Sequence, residues 1–303
     1  MPFFSIVIPS YNRSAYISKT IESVINQTFS DWELIVVDDG STDNTKEIIQ
    51  TIIHNDNRIK YRYQNNAERS AARNNGINNS TGEYICFLDS DDLFLPNHLE
   101  ILYEEILQKN KPTGLFFTNQ LNALNNILSK ENTVPLSSPT LLYLFKYAII
   151  PARVCVHKNI LKEEQFDADI TVVEDMILWV RISDKYPVFH IQKETVIYTL
   201  HDDNSINIKN TGAQKRLDGL LKFFHRYPQI TNKISKHQQN ELLGDTLFNI
   251  AKHHIYHNDK YHAINYLVKS LLKIPKHPQT KYKINILMNL IIGNSKKALA
   301  LLN

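Results

Sequence analysis

The stretch that decides the fold is Glu83-Tyr84-Ile85-Cys86-Phe87-Leu88-Asp89-Ser90-Asp91-Asp92. Its first half is an apolar run with aromatic and β-branched residues, which predicts a short buried strand. Its second half places three carboxylates within four residues, at the point where the strand leaves the core. In open α/β sheets, ligands bind at the carboxyl edge of the strands. The stretch therefore predicts a ligand site beside a central strand.

The spacing of the carboxylates indicates what that ligand could be. Side chains alternate along a strand, so Asp89 and Asp91 can point to one side while Ser90 points away. Two carboxylates on one side suit Mg²⁺ or Mn²⁺. Asp-x-Asp alone is a weak signal. The alternative is a polar turn in which Asp92 caps a helix that starts near Pro96.

The bulk composition is that of an ordinary soluble protein, with 303 residues, 43% hydrophobic and 21% charged. This length allows one large α/β domain with an appendage, or two domains. Two cysteines make no disulfide framework, which favours a reducing cytoplasm. The N-terminus lacks the basic region and apolar core of a signal peptide. No apolar run reaches the length of about 18 residues that predicts a membrane span.

Charge is distributed unevenly along the chain. Residues 204–303 contain 16 Lys and Arg against 4 Asp and Glu, a net charge of +12, whereas residues 1–203 carry −9. An acidic N-terminal part fits a cation site. A basic C-terminal part fits an anionic surface such as a membrane, a phosphate-bearing substrate or nucleic acid.

Strands alternate with helices in the first part of the chain, which predicts βαβ units and a mostly parallel sheet. The predicted strands are residues 3–8, 32–37, 59–63 and 84–88. Three of them end in polar clusters, near Tyr11, at Asp38-Asp39 and at Asp89–Asp92. No glycine-rich dinucleotide or P-loop motif follows a strand, so those two nucleotide-binding classes are disfavoured.

Five short motifs occur in order: Ser5-Ile6-Val7-Ile8-Pro9-Ser10-Tyr11-Asn12, Val36-Val37-Asp38-Asp39-Gly40-Ser41-Thr42-Asp43, Ala71-Ala72-Arg73-Asn74, Phe87-Leu88-Asp89-Ser90-Asp91-Asp92 and Glu174-Asp175. In this order and spacing they resemble the inverting family-two nucleotide-sugar glycosyltransferases. The resemblance covers residues 1 to about 205 and implies a GT-A fold, a mostly parallel sheet flanked by helices, as a catalytic domain. Residues 206–303 are not covered and are predicted to form a basic helical C-terminal region.

The resemblance implies roles around the metal and the donor sugar. It puts Asp91 on the metal, Asp89 toward the ribose or the metal shell, and Ser90 among the nucleotide-binding residues. Asp92 is expected at the donor sugar, with the helix cap as the alternative. His201 is expected near the diphosphate or the metal, although a lone histidine is more often structural.

The resemblance also places Asp39 against the base. A carboxylate accepts the uracil N3–H but is repelled by the cytosine N3, while guanine is not excluded by charge. Pro9 and Tyr11 would flank the base and ribose, and loop packing is the alternative for Tyr11. Arg73 would approach the base or diphosphate, in preference to Arg69 on the same helix face. Both arginines could instead balance nearby acids from the surface.

On the acceptor side, the resemblance implies that Asp175 is the general base. Glu174 would support it, and Trp179 would offer a ring on which an acceptor sugar stacks. The alternative is that the two acids only favour a helix N-terminus.

The sequence of the C-terminal region gives fewer signals of structure and function. His253 and His257 are four residues apart, a spacing that can bind metal, but a surface histidine cluster is favoured because no Glu completes a His-Glu-x-x-His motif. Residues 281–302 alternate basic and apolar residues. An interfacial helix on an anionic membrane has this composition, and so does a packed helix with a solvated basic face.

These observations predict a metal-dependent inverting glycosyltransferase that uses Mn²⁺ or Mg²⁺ and a nucleotide-sugar donor, with UDP-sugar favoured. The expected acceptor is a glycan or lipid-linked molecule in bacterial surface polysaccharide or glycoconjugate assembly. The expected location is the cytoplasm or the inner face of the cell membrane. The alternatives are a catalytically degenerate nucleotide-binding protein, and a protein that binds anionic surfaces or nucleic acid through its basic region. Nucleic acid is not expected, because no known aromatic-basic motif occurs.

Overall fold

A computed structural model describes residues 1–54, 56–125, 127–131, 134–137, 140–147, 149–201 and 212–302. Within these residues one sheet contains nine strands: β1 (Phe4–Ser10), β2 (Trp32–Asp38), β3 (Ile59–Tyr63), β4 (Tyr84–Phe87), β5 (Leu93–Phe94), β6 (Leu115–Leu124), β7 (Ile127–Lys130), β8 (Val154–His157) and β9 (Val188–Thr199).

The strand order is β3-β2-β1-β4-β8-β6-β9-β5, with β7 paired to β6. The first four strands run parallel, as the alternation of strands and helices predicts. Beyond β4 the sheet is mixed, because β8 is antiparallel to both β4 and β6, and β5 is antiparallel to β9. The carboxyl ends of β2, β1 and β4 therefore meet at one edge.

Helices accompany the sheet: α1 (Ile17–Ile25), α2 (Thr45–Ile53), α3 (Glu68–Asn78), α4 (His98–Gln108), α5 (Thr140–Lys146), a 3₁₀-helix (Pro151–Arg153), α6 (Lys158–Leu161) and α7 (Glu174–Ser183). The C-terminal part is helical, as predicted: α8 (Gly212–Arg226), α9 (Pro228–Thr231), α10 (Lys236–Tyr256), α11 (Lys260–Lys273), α12 (Thr280–Ile291) and α13 (Ser295–Ala300).

The core forms where the apolar runs of the sequence predict it. Every residue of β1 and β2 is buried, as expected for parallel strands covered on both faces. The small residues of α3 let this helix approach β1 closely. A Cβ added at Gly76 would lie 2.3 Å from Cγ1 of Val7, so only glycine fits there.

The chain divides into two compact units, Met1–Asp169 with Glu174–His201, and Ile170–Val173 with Asp202–Asn303. The domain boundary predicted between residues 205 and 206 lies outside the described residues. The second unit has its own apolar core, which includes Phe248, Leu267 and Ile286.

The basic and apolar stretch at residues 281–302 forms two helices, α12 and α13, on either side of Gly293, whose φ is +83°. One face of α12 is buried and includes Ile286 and the side chain of Lys283, whose Nζ lies 3.6 Å from Asp245. Apolar side chains on α12 are also exposed: Ile284, Met288 and Ile291. Among the described residues, no helix is both long and apolar enough to cross a bilayer.

Candidate active site

The end of β2 presents a buried carboxylate with one oxygen already held in place. Oδ1 of Asp39 accepts hydrogen bonds from the Gln64 side-chain amide at 2.7 Å and from the Ala67 N–H at 2.9 Å. Oδ2 of Asp39 receives no hydrogen bond from the described residues. The carboxylate is thus fixed in direction and retains one oxygen that can accept a further donor.

The end of β1 lies directly beside this carboxylate. The Asp39 N–H donates to the Ser10 carbonyl at 2.8 Å, which joins the ends of the two strands. Pro9 is buried within β1, whereas Tyr11 is 46% exposed just after it. The turn continues through Asn12, at φ +51°, so the Tyr11 ring stands at the surface next to the strand ends.

A histidine and an aspartate from distant segments meet beyond β4. His201 Nε2 lies 3.1 Å from Oδ2 of Asp91, and the His201 ring stacks on Tyr16 with a centroid separation of 5.1 Å. Both side chains are partly accessible, at 12% for His201 and 15% for Asp91. Arg13 Nε also approaches Asp91 Oδ2, at 3.5 Å.

This pair fits a divalent cation. Adjacent ligands of an octahedral ion with bonds of about 2.1 Å lie about 3 Å apart, close to the separation of the Asp91 and His201 atoms. Two protein ligands also leave coordination positions for phosphate oxygens and water, as is usual for Mg²⁺. The donor set therefore suits the ion that the sequence predicts.

Asp92 is deeply buried behind this pair. Its Oδ1 accepts a hydrogen bond from the Thr199 N–H at 3.0 Å, and its Oδ2 has no partner among the described residues. It does not cap α4, because that helix begins at His98 with Asn97 as its N-cap residue. Burial, followed by the charges of Asp89 and Asp91, raises the pKa of Asp92 well above its usual range. Asp92 therefore keeps its proton to a higher pH than an exposed aspartate does.

Arg73 is buried between two acidic segments. One terminal nitrogen donates to Oδ1 of Asp89 at 2.6 Å, and the other donates to Oε1 of Glu174 at 2.8 Å. Its side chain is only 2% exposed, whereas Arg69, one turn earlier on α3, is exposed. The charge of Arg73 is thus already matched by two carboxylates. Its predicted contact with a nucleotide stays a prediction.

Ser90 lies between the aspartates and is buried. Its carbonyl accepts a hydrogen bond from the Thr20 hydroxyl at 3.0 Å, which ties this turn to α1. The structure therefore fixes the backbone of Ser90, and its nucleotide contact also stays a prediction.

Asp175 stands beside Glu174 at the start of α7 and is partly exposed. Its Oδ1 accepts a hydrogen bond from the Met176 N–H at 2.7 Å. Burial, followed by the negative charge of Glu174, raises the pKa of Asp175 to about 7. The residue before this helix, Val173, has φ +67°, a conformation that costs a β-branched residue about 1–3 kcal/mol and is concentrated at functional sites.

Trp179 is not at the surface, which corrects the predicted acceptor platform. Its ring is 1% exposed and lies between Phe87 and Phe166, each with a centroid 5.8 Å away. Its indole N–H donates to the Ile149 carbonyl at 3.0 Å. The ring cannot stack on a sugar without leaving the core.

Sequence reasoning does not identify Arg13 as a residue of this edge, although a basic residue three positions after the end of β1 is a usable signal. Asp38 differs from Asp39 because its side chain stabilises the turn. It accepts hydrogen bonds from the Ser41 N–H at 2.8 Å and from the Tyr61 hydroxyl at 2.7 Å. No local signal separates the two aspartates, since Tyr61 comes from a different strand.

Comparison with known proteins identifies the family. The chain matches the profile described as Glycosyl transferase family 2 over residues 5–157, half of its length. A protein of Rickettsia bellii (strain RML369-C), described as an uncharacterized glycosyltransferase, is 33% identical over 217 residues, which is 66% of this chain and 29% of that protein. The GalNAc(5)-diNAcBac-PP-undecaprenol beta-1,3-glucosyltransferase of Campylobacter jejuni subsp. jejuni is 29% identical over 230 residues, 71% of this chain and 69% of that protein. The chain belongs to glycosyl transferase family 2, as its motifs predict.

Solved structures with similar folds confirm the predicted GT-A architecture. S. aureus TarS 1-349 in complex with UDP-GlcNAc has a TM-score of 0.60 and 18% identity, covering 91% of this chain and 93% of that chain. The mannosyltransferase PcManGT from Pyrobaculum calidifontis, in complex with GDP-Man and Mn²⁺, has a TM-score of 0.59 and 15% identity, covering 98% and 87%. At these identities the likeness concerns the fold. The matched part of this chain spans about a third of the length of the Rickettsia relative.

Proposed function

We propose that this chain is an inverting, metal-dependent glycosyltransferase that moves a sugar from UDP to a hydroxyl group. The contact of Asp91 with His201 at 3.1 Å supports the proposal, because these two side chains come from distant segments, could together bind a cation, and lie at the sheet edge where Asp39 also lies. The ends of β2 and β4 are two strand spacings apart, about 10 Å. That separation suits a nucleoside with its base at one end and its diphosphate at the other.

Asp39 would recognise the base. Its free Oδ2 can accept the uracil N3–H, while Gln64 and Ala67 hold Oδ1 and keep the carboxylate in place. Tyr11 and Pro9 would line the base and ribose, and Asp89 the ribose. Guanine also presents a ring N–H, and PcManGT was solved with GDP-Man, so the preference for uracil over guanine is a point to measure.

The leaving group would be stabilised by cationic groups around Asp91. A bound Mn²⁺ or Mg²⁺, held by Asp91 and His201 with Asp89 nearby, would neutralise charge that develops on the diphosphate. Arg13, 27% exposed, has the reach to donate to a phosphate oxygen from the same place. Asp92, whose Oδ2 is buried and has no partner among the described residues, could reach the donor sugar only if the turn after β4 opened.

Asp175 would act as the general base. As the acceptor oxygen bonds to the anomeric carbon, the proton of the acceptor hydroxyl passes to Asp175. The bond between the anomeric carbon and the diphosphate oxygen breaks, and its electron pair goes to the diphosphate. One such displacement inverts the anomeric centre. A base with a pKa near the working pH is well matched to this task, and proton removal contributes about 10²–10⁴-fold in rate. Glu174, paired with Arg73, would hold the start of α7 in position.

The proposed setting is assembly of a bacterial surface glycan on a lipid-linked acceptor at the cytoplasmic face of the membrane. A relative acts, by its name, on a PP-undecaprenol acceptor. Lys281 and the exposed apolar side chains of α12 would suit an anionic lipid surface. On this proposal, residues 1–205 carry catalysis and residues 206–303 serve the acceptor or the membrane.

A screen of nucleotide sugars tests the proposal. The full chain is incubated with each donor and Mn²⁺, and released nucleotide is measured with and without candidate acceptors. We expect release from a UDP-sugar that stops in excess chelator. Tight UDP binding without release from any donor or acceptor would favour the degenerate nucleotide-binding alternative.

A further inference from the structure

The turn between α10 and α11 brings two histidines and an aspartate together, within the second unit. His254 Nδ1 lies 3.1 Å from Oδ2 of Asp259, and His262 Nδ1 lies 2.8 Å from the same oxygen. One potential ligand atom from each of the three side chains lies within 4.8 Å of the other two. Three side chains of metal-binding type therefore converge on one point.

Local backbone structure explains this convergence. Asn258, at φ +58°, reverses the chain after α10, and the Asp259 N–H donates to the His254 carbonyl at 2.8 Å. Asp259 then caps α11, because its Oδ1 accepts from the His262 N–H at 3.3 Å. One carboxylate oxygen is used by the cap, and the other is left facing both imidazoles.

We propose that His254, Asp259 and His262 bind one transition-metal ion of the Zn²⁺ type. Two imidazoles and a carboxylate are a usual Zn²⁺ ligand set, and tetrahedral ligands with bonds of about 2.0–2.1 Å lie about 3.3 Å apart. The distances from Asp259 Oδ2 to His254 and His262, 3.1 and 2.8 Å, are both somewhat shorter than that spacing, by at most about half an ångström. Asp259 is 38% exposed and His262 53%, so an ion can enter from solvent.

The surroundings favour binding over a simple hydrogen-bonded turn. His254 stacks on Tyr266 with an interplanar angle of 6°, and on His262 at 22°, which restrains the imidazoles. A cavity of about 310 Å³, lined in part by His254, His262 and Gln214, leaves room for a water ligand.

The ion would fasten the last turn of α10 to the first turn of α11. The proposed ligands do not include the His253–His257 pair, whose four-residue spacing in the sequence can bind a metal. The histidine that faces the Asp259 carboxylate is His254. The site also differs from the one at Asp91, since every ligand belongs to the second unit.

Zn²⁺ titration calorimetry on the full chain without an affinity tag tests the proposal. An Asp91→Asn background separates this site from the sheet edge. We expect one Zn²⁺ per chain, with visible absorption of tetrahedral type when Co²⁺ is used instead. Asp259→Asn keeps a capping oxygen but loses the charge, and it should weaken Zn²⁺ binding by more than about tenfold, since even outer-shell changes cost that much. His262→Gln should do the same.

Two controls keep the result specific. His237→Gln removes a histidine that lies 3.4 Å from Glu241, near the start of the same helix, and this variant should bind Zn²⁺ as the parent does. His257→Gln should also bind normally. Unchanged binding by Asp259→Asn and His262→Gln, or loss of binding in either control, would overturn the proposal.

Discussion

Arg73 and Glu174 lie 101 residues apart in the sequence, yet a terminal nitrogen of the buried guanidinium donates to Oε1 of Glu174 at 2.8 Å. The other terminal nitrogen of Arg73 binds Asp89, so one cation links the turn after β4 to the start of α7. Glu174 is consequently fixed in an ion pair with Arg73. Its neighbour Asp175 carries the raised pKa and partial exposure that a general base needs.

Single substitutions of Asp175 and Glu174 separate the roles of the two acids. Asp175→Asn preserves shape but removes the basic group, and we expect kcat to fall by about 10²–10⁴-fold with little change in UDP affinity. Glu174→Gln should keep measurable turnover and lose about 1–3 kcal/mol of folding free energy, because a hydrogen bond to a charged partner is weakened. Turnover at saturating donor and urea unfolding measure the two effects. An inactive Glu174→Gln beside an active Asp175→Asn would reverse the assignment.

The raised pKa of Asp175 predicts a pH dependence of activity. The base must be ionised to accept a proton, so kcat/KM should rise with pH through about 7 and then level off. Initial rates across this range, with metal and donor held constant, give the profile. A flat profile from acidic to neutral pH in the wild type would contradict the assignment.

The raised pKa of Asp175 also predicts how the free energy of unfolding depends on pH. An unfolded aspartate has a pKa of about 3.9, so between this value and about 7 the folded protein keeps a proton that the unfolded chain has lost. Stability from this group is therefore present at low pH and lost as the pH rises toward 7. Asp175→Asn should be more stable than the wild type near about pH 8, with the difference closing toward about pH 4. Thermal unfolding at the two pH values measures it.

Metal affinity should distinguish Asp91 from its neighbour Asp92. Asp91→Asn removes an ionised ligand and should abolish Mn²⁺-dependent transfer and Mn²⁺ binding in the presence of UDP. Asp92→Asn alters a buried carboxyl group whose pKa is raised, so Mn²⁺ affinity should change much less than in Asp91→Asn. His201→Ala should weaken Mn²⁺ binding without abolishing UDP binding. Equal Mn²⁺ affinity in the wild type and Asp91→Asn, measured by calorimetry, would exclude this metal site.

Asp38 and Asp39 offer a matched pair for base recognition. Asp39→Asn should weaken UDP binding by about 1–3 kcal/mol, because an amide nitrogen can then face the uracil N–H. Asp38→Asn should instead lower the free energy of unfolding, because it disturbs the bonds to Ser41 and Tyr61. Calorimetric titration with UDP, GDP and CDP measures the first effect. A wild type that prefers CDP would contradict the role of Asp39.

Exposed apolar residues of α12 predict binding to anionic lipid. Ile284 and Ile291 are 45% and 54% exposed, so replacing both with Asn should reduce liposome co-sedimentation without unfolding the chain. Binding of the wild type should fade as salt is added. Leu272→Asn, at a residue of α11 that is 77% exposed, is the control. Equal sedimentation of all three proteins would contradict membrane binding through α12.

The predictable parts of the structure are those fixed by local sequence. Strands β1, β2 and β4 are apolar runs ended by acids, and parallel packing brings their ends together. The antiparallel insertion of β8 was not predictable, because it depends on pairing across a long stretch of chain, such as Cys86 with Cys155.

The site shows the same division between local and distant contacts. The location of Asp39 and Asp91 at the sheet edge follows from their positions at strand ends. The pairing of Arg73 with Glu174 cannot be predicted from local sequence patterns, because the two residues are far apart in the chain. The burial of Trp179 could have been inferred, because it stands in a run of five apolar residues in α7, and a helix that is apolar all round is buried.

The contact between Gly76 and Val7 has a consequence for reading genetic data. Any side chain at position 76 would push α3 away from β1, and Arg73 lies one turn earlier on the same helix. A selection for loss of sugar transfer should therefore recover substitutions at Gly76 among its strongest hits, although this residue touches no reacting group. Such alleles would look catalytic while their cause is steric, and a second-site change of Val7 to a smaller residue would be the expected suppressor.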